Sequence, residues 1–178
     1  YAMQASPSVP AAPQHGREQP SIDPKALVEA RSSVTNSGIP TGDRWIIVAD
    51  GLARNGQFGG AALMLRNATN SNPKNAEAWL AMANALVAHA ENQLTPAAFY
   101  AYRSASAAAP EHPGPPFFLG LALAQSGRFT EARTLWARLL EATPPNAPWH
   151  GELVDKLAKL DAIIKQGPGR QQTQAPQR

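Results

Sequence analysis

A pattern of residue sizes returns every 34 residues, and it constrains the fold more than any other feature of this chain. Trp45 is followed by Val48-Ala49, Leu52, Gly56, Ala61, Leu65, Ala68 and Pro73. One period later Trp79 leads Met82-Ala83 and Leu86. The spacings return in Leu119-Gly120, Leu123, Gly127, Ala132, Trp136, Leu139 and Pro144. Apolar residues three and four apart put one face of a helix in the core. The glycine between two such runs breaks the helix, and the small residues let two helix backbones approach. A unit of this kind cannot bury its apolar face alone, so its copies must stack.

The spacing matches the tetratricopeptide signature, Trp-x2-Leu-Gly-x2-Tyr…Ala-x3-Phe…Pro. The expectation is an all-α tetratricopeptide-repeat solenoid of three helix-turn-helix repeats, with an N-terminal helix and a C-terminal capping helix. Repeat one runs over about 43–73, with its turn at 54–57 and Ala49 and Ala61 in the small-residue slots. Repeat two runs over about 75–110. Its first helix covers about 76–90, and its second starts at Thr95-Pro96, an N-cap followed by proline in the first turn. Trp79 to Pro110 is 31 residues against 28 from Trp45 to Pro73, so this copy carries a three-residue insertion, placed at 91–94. Repeat three runs over about 114–144 and starts at Pro115-Pro116. A last helix over about 148–165 alternates Leu153, Leu157, Leu160 and Ile164 with Glu152, Asp155, Lys156, Lys159, Asp161 and Lys165, the two-faced pattern of a terminal cap.

Outside the repeats the composition changes. Residues 1–21 are rich in Pro, Ala, Ser and Gln without an apolar period and read as a disordered linker. Residues 22–40 read as a helix and turn, with Ser21 or Asp23 as cap, a narrow stripe of Leu27, Ala30/Arg31 and Val34, and a stop at Gly38-Ile39-Pro40. The repeat domain with its cap spans 41–165, and 166–178 reads as a disordered tail.

The chemistry of the chain points to binding. The net charge of +3 comes mostly from the tails, since 13 Lys/Arg stand against 12 Asp/Glu between Asp23 and Lys165. No basic stripe interleaved with aromatics is present, so nucleic acid is not the expected partner. There are no cysteines, which excludes disulfides, Cys-ligated zinc and thiol catalysis. His15, His89, His112 and His150 are scattered and read as surface histidines, not metal ligands. No nucleophile elbow or phosphate loop occurs. The chain is expected to be no enzyme and to need no cofactor. Trp45, Trp79 and Trp136 fall in large-residue slots and read as core, and Trp149 reads as a staple-like contact at the cap.

Stacked helix pairs leave a face lined by the first helix of each repeat. The positions beside the core slots on that face are Ile46, Asp50 and Arg54 in repeat one. They are Leu80, Asn84 and Val87 in repeat two, and Phe117, Leu121 and Gln125 in repeat three. This mixed lining suits an amphipathic helix or apolar peptide with a few polar contacts. Packing of the same residues against the N-terminal helix or the insertion is the alternative. A clamp for a C-terminal carboxylate would need Lys/Arg where Phe117, Phe118 and Leu121 stand, so that variant is disfavoured.

Several segments are more specific than the repeat itself. The run Pro113-Gly114-Pro115-Pro116-Phe117-Phe118-Leu119-Gly120, continuing through Leu121-Ala122-Leu123-Ala124-Gln125-Ser126-Gly127, is one. Leu135-Trp136-Ala137-Arg138-Leu139-Leu140, Thr143-Pro144-Pro145-Asn146-Ala147-Pro148-Trp149, Asn84-Ala85-Leu86-Val87-Ala88-His89 with Leu94-Thr95-Pro96-Ala97-Ala98, and Asp23 to Arg31 are others. Together, over about 1–165, they resemble the tetratricopeptide domain of the c-type cytochrome biogenesis family. The resemblance implies a periplasmic repeat domain on the bacterial inner membrane, behind an N-terminal anchor that is missing from this chain. It implies a chaperone that holds apocytochrome c, often by its C-terminal helix, and passes it to the haem-ligation complex. The alternative is a general assembly scaffold that binds a folded protein partner. No single ligand residue carries over from the family.

Overall fold

The computed structural model describes residues 23–35 and 43–167. The expected linker over 1–21, the turn at 36–42, the tail beyond 167 and His15 lie outside the described residues. The described residues form eight α-helices and no strand. They are α1 (Pro24–Thr35), α2 (Arg44–Arg54), α3 (Phe58–Ser71), α4 (Ala76–His89), α5 (Pro96–Ala108), α6 (Gly114–Gln125), α7 (Phe129–Ala142) and α8 (His150–Gln166). The fold is all-α. Helix α8 starts two residues later than expected because Trp149, not Pro148, holds the position before its first turn. It also includes Gln166, which the sequence reading gave to the tail.

Side-chain caps set the starts of α2, α4 and α5. Asp43 accepts from the Trp45 N–H, Asn75 from the Ala78 N–H and Thr95 from the Ala98 N–H, each satisfying one of the free donors at a helix N-terminus. Asn75 also donates through Nδ2 to Asp43 Oδ2 at 3.1 Å, which ties the start of α4 to the start of α2.

The turns inside the three helix pairs show the insertion directly. Residues 55–57 join α2 to α3 and 126–128 join α6 to α7, whereas α4 and α5 are separated by 90–95. The short turns use Gly56 at φ 73° and Gly127 at φ 76°, the left-handed backbone that glycine tolerates best. In the longer turn Glu91 and Asn92 adopt positive φ without being glycine. The insertion also pairs across to the next turn, where the Leu94 N–H donates to Ser126 Oγ at 2.8 Å. Beyond it the register recovers: Ala98, Tyr102 and Ala105 are buried in α5, as Ala61, Leu65 and Ala68 are in α3.

Successive helices pack on one another along α2, α3, α4 and α5, and again along α6, α7 and α8. Helices α2, α4 and α6 also touch in order and so form one layer. The core divides in two. An amino-terminal cluster gathers Val28, Ile46, Leu65 and small residues such as Ala49, Ala61, Ala68 and Ala81. A carboxy-terminal cluster gathers Tyr102, Phe117, Phe118, Trp136, Leu153 and Leu160 with Leu80 and Val34. Trp136 is buried and donates Nε1 to the Phe117 carbonyl at 2.9 Å. Gly120 is needed beneath it, since a Cβ there would lie 2.0 Å from Trp136 Nε1. Ala49 and Ala83 fill the same slot of the other two copies, opposite the slimmer Leu65 and Tyr102.

Trp45 and Trp79 pack against the amino-terminal and carboxy-terminal clusters respectively, the core role expected of them, although both are only half-buried. Trp79 stacks edge-on against the exposed Tyr100 at 5.8 Å and donates Nε1 to the Pro73 carbonyl at 2.8 Å. Trp149 packs edge-on against Phe117 at 6.4 Å and so closes the carboxy-terminal cluster.

Candidate functional site

Helix α1 lies across the layer that was expected to be open. It contacts α2 and α6, and its Arg31 reaches α4. Among its described side chains three are buried: Val28, Arg31 and Val34, spaced three apart along one face. Leu27 and Ala30 flank them half-buried, so the stripe of Leu27, Ala30/Arg31 and Val34 read from the sequence also takes in Val28 and has Arg31 at its centre.

The Arg31 guanidinium is the polar centre of this face. Nη2 donates to Asp50 Oδ2 at 2.6 Å. Nη1 lies 3.1 Å from Glu77 Oε1, within ion-pairing range but at an angle that makes no hydrogen bond. A buried cation needs such counter-charges, because desolvation otherwise costs several kcal/mol. Beside it, a cavity of about 20 Å³ is lined by Arg31, Asp50, Asn84, Leu27 and Leu65. Asn84 Oδ1 accepts from the Tyr102 hydroxyl at 2.8 Å. Burial pushes the Tyr102 phenol far above its ordinary range, so it stays a donor. Asn84 Nδ2 is buried with no hydrogen-bond acceptor among the described residues.

Asp50 and Asn84, two of the expected groove residues, thus meet at one cavity. The others separate. Ile46 is buried in the amino-terminal cluster, and Leu80, Val87 and Phe117 are buried in the carboxy-terminal one. Together with Asn84 these side chains lie inside the protein and do not line an open groove. The physical reason is that Val28 of α1 joins Ile46 in one cluster, Val34 of α1 joins Leu80, Val87 and Phe117 in the other, and Trp149 packs on Phe117. Leu121 is half-buried, while Arg54 and Gln125 are exposed near the ends of their helices. The sequence reading missed Val28, Arg31 and Glu77 as members of the site. The signal was an arginine set in an apolar stripe, which demands a carboxylate partner.

His112 also departs from the surface reading. It is half-buried, its Nδ1 accepts from the Gly114 N–H at 3.0 Å, and burial lowers its pKa against the opposing pull of Glu77. With Glu111, Pro116, Leu139 and Trp149 it borders a second, wider cavity of about 360 Å³. Among the described residues no three His, Asp or Glu stand together as a metal site. No helix among them is long and apolar enough to cross a membrane.

No family model matches the chain. Two curated proteins do. One, from Bradyrhizobium diazoefficiens, is 33% identical over 122 residues, covering 68% of this chain and 33% of that protein. The other, from Rhizobium meliloti, is 30% identical over 170 residues, covering 95% of this chain and 44% of that protein. Both carry the name cytochrome c-type biogenesis protein CycH. These similarities support kinship with the cytochrome c biogenesis proteins. The chain spans less than half the length of either relative.

Proposed function

We propose that this chain acts in cytochrome c maturation as a tetratricopeptide-type binding unit that holds apocytochrome c for haem ligation. The observation that carries the reading is the similarity to CycH along 95% of the chain. The repeated helix pairs, with small residues in the same slots of each copy, are consistent with a three-repeat solenoid. Its work is binding and hand-over, not catalysis. Its place is the periplasmic side of the inner membrane, next to the haem-ligation components. The experiment is a titration of the chain with a peptide from the C-terminal helix of an apocytochrome c, expected to bind with micromolar or tighter affinity. Leu121→Glu, on the half-exposed part of α6, should weaken it at least about tenfold, roughly 1.4 kcal/mol. Absence of binding to any apocytochrome would remove the function.

A scaffold that holds a folded partner is favoured by one observation. Tyr100 is 63% exposed on α5 and stacks edge-on with Trp79, an aromatic pair at the surface. Exposed aromatics of this kind anchor protein interfaces. If Tyr100→Glu abolished partner capture and Leu121→Glu did not, the scaffold reading would replace the first.

A further inference from the structure

Helix α1 is held unlike the rest of the molecule. Among the described residues the buried polar side chains outside α1, Thr69, Asn84 and Thr143, are neutral, whereas α1 buries two valines and one charged arginine. Twelve residues are too few for a stable helix in water without tertiary support, so α1 exists as a helix only while docked. Its docking site is unevenly satisfied. One guanidinium nitrogen makes a hydrogen bond to Asp50, the other only faces Glu77, and Asn84 Nδ2 has no acceptor among the described residues. Buried polar groups are normally paired, and an incompletely paired network is a weak point of a packed interface.

The α2–α4–α6 layer, by contrast, is fully formed from the other side. Asn84 is fixed by Tyr102 from α5, and Asp43 and Asn75 tie α2 to α4 independently of α1. Asp50 and Glu77 each keep part of their side chain in contact with solvent, 16% and 24% exposed. Both carboxylates can therefore rehydrate when the guanidinium leaves. The face then presents two carboxylates and one amide donor among aliphatic residues, which is complementary to a cationic amphipathic helix.

We propose that α1 is a resident ligand of this face. The α2–α4–α6 layer binds an amphipathic helix with an arginine set between two aliphatic residues three positions away on either side, as Val28, Arg31 and Val34 are. Asp50 and Glu77 form its guanidinium subsite, and α1 occupies that subsite until a partner's helix displaces it. The inference rests on reading this layer as the peptide-docking face, and it adds the side-chain chemistry of the ligand and the release step. A face that is open only about a tenth of the time weakens any incoming helix about tenfold. Release of α1 therefore sets the apparent affinity for a partner.

The test uses the full chain and a labelled peptide with the sequence of residues 24–35 as the probe. It should bind a Val28→Asp/Val34→Asp variant, whose own α1 cannot dock, at least about tenfold more tightly than the unaltered chain. The same peptide carrying Arg31→Glu should lose that binding. Equal affinity for the two proteins, or equal binding by the Arg31→Glu peptide, would overturn the proposal. So would loss of helical content beyond α1 in the double variant, since displacement would then unfold the protein. Hydrogen exchange on the unaltered chain gives a second reading. The α1 amides should exchange at least about a hundredfold faster than those of α4, and equal protection would overturn the proposal. Neither arm uses an apocytochrome, so failure to bind one would remove the proposed function and leave this result standing.

Discussion

The two core clusters are built from different materials. The carboxy-terminal cluster is aromatic, with Trp136 set over Gly120 and Phe117 wedged against Phe118, Trp136 and Trp149. It is closed by α7 and α8 and takes one buried residue, Val34, from α1. The amino-terminal cluster is mostly alanine, and part of its cover is α1 with a buried arginine. Large aromatics contribute more buried area per residue than alanines do, so the first cluster should carry most of the global stability. The second should carry the part of the structure that opens first. A binding unit gains from that division, because a partner can exchange with a weakly held cover without disturbing the fold.

The largest expected effect lies in the aromatic half. Trp136→Ala should lower stability by about 3–5 kcal/mol, measured by urea denaturation. Gly120→Ala should be nearly as damaging, because the added methyl would meet the indole and cannot be accommodated without moving it. If either variant retained the parent midpoint, the aromatic cluster would not be the stabilising half.

The next effect sharpens the contrast. Asp50→Asn leaves Arg31 with a poorer partner. Breaking a buried ion pair typically costs about 3–5 kcal/mol when the charge must stay buried. Here α1 can leave, so the global midpoint should move by less than that. Exchange of the α1 amides should rise at least about tenfold while those of α6 and α7 stay unchanged. A full-sized global loss would mean that α1 is an integral part of the core.

Smaller effects test the turns and the wider cavity. Glu91→Gly should relieve the left-handed backbone and raise stability by about 1 kcal/mol, while Gly127→Ala should lower it by a similar amount. His112 lines that cavity beside Leu139 and Trp149 with a lowered pKa, so the unfolded chain binds the proton more readily than the folded one. Its contribution is complete above the unfolded value near 6.5 and is lost as pH falls below that value. His112→Asn should flatten this slope in a urea series across pH 5 to 7. The smallest change belongs to the exposed pair of Arg128 and Glu131, whose removal should leave the midpoint where it was.

Much of the helix pattern could be read from residue order. The 34-residue spacing located the helix pairs, and the extra distance from Trp79 to Pro110 placed the longer turn where Glu91 and Asn92 lie. The cover over α2, α4 and α6 was harder to read. Positions such as Ile46, Leu80 and Phe117 carry the same apolar residue types whether they face a peptide or a neighbouring helix. Periodicity reports that a side chain is covered, not what covers it. Arg31 was the informative exception, because an arginine inside an apolar stripe implies an acidic counterpart elsewhere in the chain. For Trp45 and Trp79 the packing against the core was legible but the half-burial was not, because a large aromatic in a repeat slot can pack at the margin of the core with one edge in solvent.

The most direct test follows hydrogen exchange along the full chain while the C-terminal helix peptide of an apocytochrome c is added. Saturation with the peptide should strip protection from the amides of residues 24–35, while those of α4 and α6 keep or gain theirs. Binding that leaves α1 as protected as before would contradict displacement of α1.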